Sequence, residues 1–118
     1  MLYDKGNDLE NSGKYEEAIK SYNRILELRP DYVGAWYYKG LSLYNLKKYQ
    51  EALSSYDKAL DIDPNFLDVL KEKGVTLDKL NKFEEAIGYF DRALMIDSND
   101  HNILSYKEKS TLNLAESE

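Results

Sequence analysis

The chain says nearly the same thing three times. Residues 13–30 read GKYEEAIKSYNRILELRP, residues 47–64 read KKYQEALSSYDKALDIDP, and residues 81–98 read NKFEEAIGYFDRALMIDS. Glycine falls at Gly6, Gly40 and Gly74, and alanine at Ala18, Ala52 and Ala86, each 34 residues from the next. Aromatics keep that interval at Tyr15, Tyr49 and Phe83 and at Tyr22, Tyr56 and Phe90. Leucine keeps it at Leu9, Leu43 and Leu77 and at Leu26, Leu60 and Leu94. Such a period means stacked copies of one supersecondary unit, since a unit with one apolar face buries it only against a neighbour.

Inside each unit the local period is helical. Ala52, Leu53, Tyr56, Ala59 and Leu60 fall on one helix face, and Trp36, Gly40, Leu43 and Leu46 fall on one face of the segment before it. The break around Lys47–Lys48 is short, so the two helices are antiparallel neighbours. Pro64 disfavours helix at Asp63 and ends the second one. Small Gly40 and Ala52 let the two backbones approach, while Tyr56 and Trp36 fill the volume beside them. The fold class is all-α, built from helix hairpins.

Trp36, Gly40, Leu43, Ala52, Tyr56, Ala59 and Pro64, at this period, resemble the signature of the tetratricopeptide repeat family over nearly the whole chain. The resemblance implies a right-handed solenoid of about seven antiparallel helices, forming a single domain over 1–118. Its parts are a first repeat over about 1–32, a second over about 33–66, a third over about 67–100 and a capping helix over about 101–115. The pattern also has departures. With Trp36 at repeat position 4, Met1 stands at position 3, so the first repeat reads as N-terminally truncated, and a longer parent array stays open. Ile25 replaces alanine, Ser98 replaces proline and Leu70 replaces tryptophan. Glu108 stands where the last helix would carry glycine, which suits a polar-backed cap.

Family resemblance also implies that first helices line a concave, peptide-binding side. At about 100° per residue, the arc opposite the core holds Tyr3, Asn7, Glu10 and Asn11, then Gly34, Tyr37, Leu41, Tyr44 and Asn45. It continues with Asp68, Lys71, Val75, Asp78 and Lys79, and with Asn102, Ser105, Lys109, Leu112 and Asn113 on the cap. The expected groove residues are Tyr3, Asn7, Asn11, Tyr37, Leu41, Tyr44, Asn45, Lys71, Val75, Asp78 and Lys79. Eleven tyrosines are many for 118 residues, and tyrosine is enriched at interfaces. Tyr22 and Tyr56 are core by register, and Tyr15 and Tyr49 pack at hairpin turns. Tyr3, Tyr37 and Tyr44 lie off the core arc, where they either contact a ligand or cover neighbouring units. Truncating Tyr37 or Tyr44 is accordingly expected to cost little stability.

Two periodic polar rows have local explanations. Asn11, Asn45 and Asn113 share one repeat position with Lys79; such a ladder could hydrogen-bond an extended peptide backbone, but the favoured reading is local, since asparagine near a helix C-terminus tolerates the left-handed conformation that ends helices. Lys5, Lys39, Lys73 and Lys107 sit beside the core arc, where the stem packs and the ammonium reaches water.

The family's best-known ligand mode is a basic and amide clamp on the C-terminal carboxylate of chaperones. Its positions here are Tyr3, Asn7, Tyr38, Asp68 and Glu72, of which only Asn7 matches. Asp68 and Glu72 would repel a carboxylate, so a chaperone C-terminus is not the expected partner. Net charge is −6, and the aromatics come without surplus basic residues, which argues against nucleic acid. No membrane-length apolar run and no signal-peptide pattern occur, and cysteine is absent, which fits a reducing cytoplasm. His101 is the single histidine and no glycine-rich phosphate loop is present, so neither metal, cofactor nor catalysis is expected. Glu16–Glu17 and Glu84–Glu85 open second helices and suit the positive helix end.

The expectation is a non-catalytic scaffold or adaptor holding an unidentified peptide or partner segment in its groove. The alternative is a structural array segment that self-associates through its end faces. A truncated first helix would leave Ala18 and Tyr22 incompletely covered and invite such stacking.

Overall fold

The computed structural model describes residues 13–117, which hold six helices and no strand. They are α1 (Tyr15–Leu28), α2 (Val33–Asn45), α3 (Tyr49–Ile62), α4 (Leu67–Lys79), α5 (Phe83–Ile96) and α6 (His101–Ser117). Contacts gather them into two compact units, one ending at Pro64 with α1, α2 and α3, the other beginning at Asn65 with α4, α5 and α6. The expected residues Tyr3, Asn7, Glu10 and Asn11 lie outside the described residues.

Helix starts follow the charge argument. Glu16 and Glu17 lie in the first turn of α1, Glu51 in that of α3, and Glu84 and Glu85 in that of α5, where carboxylates face unpaired backbone N–H groups. Asp100 caps α6 directly, accepting the Ile103 amide hydrogen bond at 3.1 Å.

Each tight hairpin closes around one left-handed residue. Lys47 has φ 62°; its amide donates to the Tyr44 carbonyl at 2.8 Å, and the Lys48 amide donates to the Leu43 carbonyl at 2.9 Å. The pattern recurs at Asn81, φ 61°, whose amide donates to the Asp78 carbonyl at 2.9 Å while Lys82 donates to Leu77 at 2.9 Å. Gly13, φ 82°, stands at the same repeat position before α1. These crossed bonds are the closing motif of a helix that ends in a left-handed residue. They correct the reading of the asparagine row. Asn45 is the last residue of α2 and Asn113 lies inside α6, so the left-handed position is two residues beyond Asn45.

In the first unit, Ala18, Tyr22, Ile25 and Leu26 of α1 pack with Ala35 of α2, and Tyr32, Trp36 and Tyr38 close over them. The Trp36 indole N–H donates to the Pro30 carbonyl at 2.8 Å, tying α2 to the α1–α2 connection. Ala18 and Tyr22 are both 0% exposed, so the uncovered first-hairpin face expected from the sequence is absent. On the other side of α2, the ring of Tyr56 occupies the space a Cβ on Gly40 would need. In the second unit the ring of Phe90 does the same at Gly74, 2.5 Å from where a Cβ would stand.

First helices are more deeply buried than one apolar arc suggests. Ala35 and Ser42, Val69 and Thr76, and Ile103 and Ser110 are all buried and keep the 34-residue interval. A middle helix such as α2, packed against both α1 and α3, needs a second inward face. Serine and threonine hide that face from a hydrophobic-pattern reading. The Thr76 hydroxyl is satisfied locally, donating to the Glu72 carbonyl one turn back at 2.8 Å, and that of Ser110 is satisfied across helices by Asp78.

Two glycines on helices are therefore expected to respond with opposite sign. Gly40→Ala should destabilise by about 1–3 kcal/mol, because the methyl overpacks against Tyr56. Gly88→Ala, in α5 with no atom within 4 Å of the added Cβ, should stabilise by about 0.8–1 kcal/mol through helix propensity. Urea unfolding of the two variants measures both. In the same assay Lys47→Gly should stabilise by roughly 1 kcal/mol by removing the left-handed penalty.

Candidate functional site

The α2 face in the first unit is aromatic and firmly held. Tyr37, Leu41 and Tyr44 are half-buried and Asn45 is exposed. The Tyr37 ring lies 5.1 Å from that of Tyr38 at 54°. Tyr38 in turn stacks on Tyr22 of α1 at 6.1 Å and 22°. Tyr44 meets Tyr49 of α3 at 5.4 Å and 59°. Both candidate ligand tyrosines thus lean on structural rings while part of each stays accessible. This corrects the expectation that truncating them costs little, since such a ring pair contributes about 0.5–1.5 kcal/mol beyond its buried area.

Tyr38 is the residue the sequence reading left without a role. Its equivalent in the last helix, Tyr106, stacks on Phe90 at 5.9 Å and 18°, so the two form a repeat-related pair on successive core rings. Their shared register was the available signal. The same position in α4 is Glu72.

In the second unit, Lys71 and Val75 are half-buried and Lys79 is exposed on α4. Asp78 is engaged inside the unit: it accepts the Ser110 hydroxyl of α6 at 2.5 Å. Ser105, Lys109, Leu112 and Asn113 of α6, with Glu108 and Glu116, line a shallow depression along that helix. Of the lysine row, Lys39, Lys73 and Lys107 are each engaged within their own unit. Lys39 stands 5.3 Å over the Trp36 ring, and burial lowers its pKa while Glu51 opposes the shift. Lys73 donates to the Tyr89 hydroxyl at 2.7 Å and lies 4.2 Å from that ring's centre. Lys107 pairs with Asp91 at 2.7 Å.

Among the described acids, Glu72 is the one with a marked shift. Burial pushes its carboxyl above the usual range; Lys71, 3.7 Å away, pulls it down, and Asp68 adds a smaller upward push. Among the described residues, no group of three or more His, Cys, Asp and Glu side chains is placed to hold a metal ion. No described helix is long and apolar enough to cross a membrane.

Comparison with known proteins bears on this arrangement. A family model described as tetratricopeptide repeat matches residues 3–65, and a second of the same description matches residues 43–109. The chain belongs to the tetratricopeptide repeat family. No curated protein sequence matches this tetratricopeptide-repeat chain. Among solved structures it is similar to the first tetratricopeptide domain of Spaghetti (RPAP3) bound to the HSP90 peptide SRMEEVD. Identity there is 26%, over 97% of this chain and 90% of that one, with a TM-score of 0.94. It is also similar to the second such domain of human RPAP3 in complex with the HSP70 peptide SGPTIEEVD. That match has 23% identity over 93% of this chain and 92% of that one, TM-score 0.89. A third is the TPR2B domain of yeast Sti1 with an Hsp70 partner, 20% identical over 94% of each chain, TM-score 0.87. The fold is the helical-hairpin solenoid of this family, a protein-binding architecture.

The Glu72 carboxyl yields a pH prediction. A folded pKa raised above the unfolded one gives stability that is fully present below the unfolded value and lost as pH rises through the folded value. Glu72→Gln should therefore unfold at higher denaturant than the parent at pH 7. The advantage should vanish below about pH 4, where the unfolded carboxyl also protonates. Chemical denaturation at the two pH values checks the sign.

Proposed function

We propose that this chain is a non-catalytic interaction module that holds a peptide, or an extended segment of a partner protein, on the accessible faces of its first helices, as a scaffold or adaptor. The observation that carries the reading is the α2 face. Tyr37 and Tyr44 are oriented by Tyr38 and Tyr49 and flank Leu41 while keeping accessible ring surface. Pre-oriented aromatic surface binds at low entropic cost. On α4, Val75 with Lys71 and Lys79 offers a further contact strip, and the peptide complexes of the similar domains support the same class of role. The single histidine, His101, opens α6 as an exposed residue and has no neighbour imidazole in the sequence, which supports a non-catalytic reading.

Those relatives bind peptides ending in acidic residues, and their complexes lend no support to excluding such a ligand here. The reason for doubt is local: Asp68 and Glu72 put negative charge on α4. Self-association is the second reading, favoured by Leu104 and Leu112, which are 42% and 57% exposed along α6.

The test is a peptide-display selection on the parent chain and on the Tyr37→Ala/Tyr44→Ala double variant, with circular dichroism to confirm that both are folded. A motif enriched by the parent and lost by the variant is expected. Equal enrichment by both would move the site elsewhere. Enrichment by neither, with concentration-dependent sedimentation, would favour self-association.

A further inference from the structure

The helix α6 packs against α5 and α4, with Ile103 and Ser110 buried on that side, and turns its other side to solvent. At about 100° per residue, Ser105, Lys109, Leu112 and Glu116 form one strip there, and all four are exposed. They also line the shallow depression along the helix. Leu112 stands at the middle of the strip and is 57% exposed.

The two charges flanking Leu112 have no counterpart in their own helix. Side chains three and four residues apart meet on a helix. Around Lys109 those are Ser105, Tyr106, Leu112 and Asn113, and one turn before Glu116 they are Leu112 and Asn113. Lys109 and Glu116 themselves stand two turns apart, about 10 Å along the axis. Glu116 also lies in the last turn of α6, where the negative helix end disfavours an anion. The strip is, however, complementary to itself. Read backwards, lysine, leucine and glutamate become glutamate, leucine and lysine. Two copies of α6 laid antiparallel about a twofold axis between Leu112 and Asn113 set each Lys109 opposite the other copy's Glu116. The two Leu112 side chains then meet beside the axis. In that register Glu108 faces Ser117, and no like charges oppose each other.

We propose that this strip of α6 is a homodimer contact. A second copy of the chain docks on it antiparallel, through two reciprocal Lys109–Glu116 ion pairs around a Leu112–Leu112 centre. Such a twofold contact uses the same patch on both copies and closes on itself. The charges choose the occupant. Each chain carries a net charge of −6, which opposes indiscriminate self-contact, and the two ion pairs favour one register. A single helix strip makes a small interface, below about 1,200 Å² in all, so the dimer is weak and depends on concentration. The inference goes beyond the peptide-binding reading and uses no residue of α2, so either stands without the other.

The experiment is sedimentation equilibrium at up to about 1 mM chain, where weak contacts populate. It compares the parent, Lys109→Glu, Glu116→Lys, an equimolar mixture of those two, and the exchanged variant Lys109→Glu/Glu116→Lys. The substituted side chains are exposed, and circular dichroism checks that each variant is folded. The parent should show a monomer–dimer equilibrium. Each single variant, with like charges opposed twice, should dimerise about tenfold more weakly. The mixture should recover association as a heterodimer, because its opposed charges again differ in sign. The exchanged variant keeps the parent's net charge and should dimerise as the parent does. Tyr37→Ala/Tyr44→Ala should also dimerise unchanged. A parent that stays monomeric, single variants that associate like the parent, or a mixture without recovery would each overturn the proposal. So would a monomeric parent that enriches a displayed peptide lost by Lys109→Glu, since the strip would then belong to a foreign segment.

Discussion

The ring of Tyr56 lies against the bare backbone of Gly40, and the ring of Phe90 against Gly74, closely enough that neither glycine has room for a Cβ. That contact fixes how near the two helices of a hairpin come and how each is rotated about its axis. Once the 40 and 74 positions face a ring, Leu43 and Leu77 are carried inward and are nearly inaccessible. Helical geometry then leaves Tyr37, Leu41 and Tyr44 on the far side of α2, and Val75 and Lys79 on that of α4. The candidate binding faces are thus a consequence of the core contact. The crossed hydrogen bonds around Lys47 and Asn81 hold the helix ends in the same register.

Most of the fold was legible because the 34-residue interval concerns residue types with only one use. Glycine under an aromatic, alanine at a close crossing and proline after a helix can each be read without coordinates. The second inward face was illegible for the opposite reason. Ser42, Thr76 and Ser110 resemble surface residues yet are buried, and the hydroxyls of Thr76 and Ser110 are taken up by the Glu72 carbonyl and by Asp78. The left-handed residue was misplaced because its position is set by the hydrogen-bond pattern. Glycine, lysine and asparagine all occupy it, so residue identity gives no lead.

The candidate site was legible as an arc and less so as an electrostatic surface. Helical phase alone put Tyr37, Tyr44, Val75 and Lys79 on one side. It did not show that Asp78 is committed to Ser110, that Tyr38 is the ring supporting Tyr37, or that Lys107 is held by Asp91. The Asp78–Ser110 and Lys107–Asp91 pairings join residues far apart in sequence and depend on which helices become neighbours. Glu72 emerges as an exception only when set beside Tyr38 and Tyr106, its counterparts in the repeat.

Trp36 has a consequence of a different kind. It is the chain's one tryptophan, and its indole is bonded to the Pro30 carbonyl and packed on the α1–α2 core. The second unit has tyrosine and phenylalanine only. Indole emission therefore reports on the first unit alone, while far-ultraviolet dichroism sums over all the helices. The fluorophore the repeat happened to retain divides the molecule optically along the boundary after Pro64. Whether the two halves melt together or in turn can be read from the unlabelled chain.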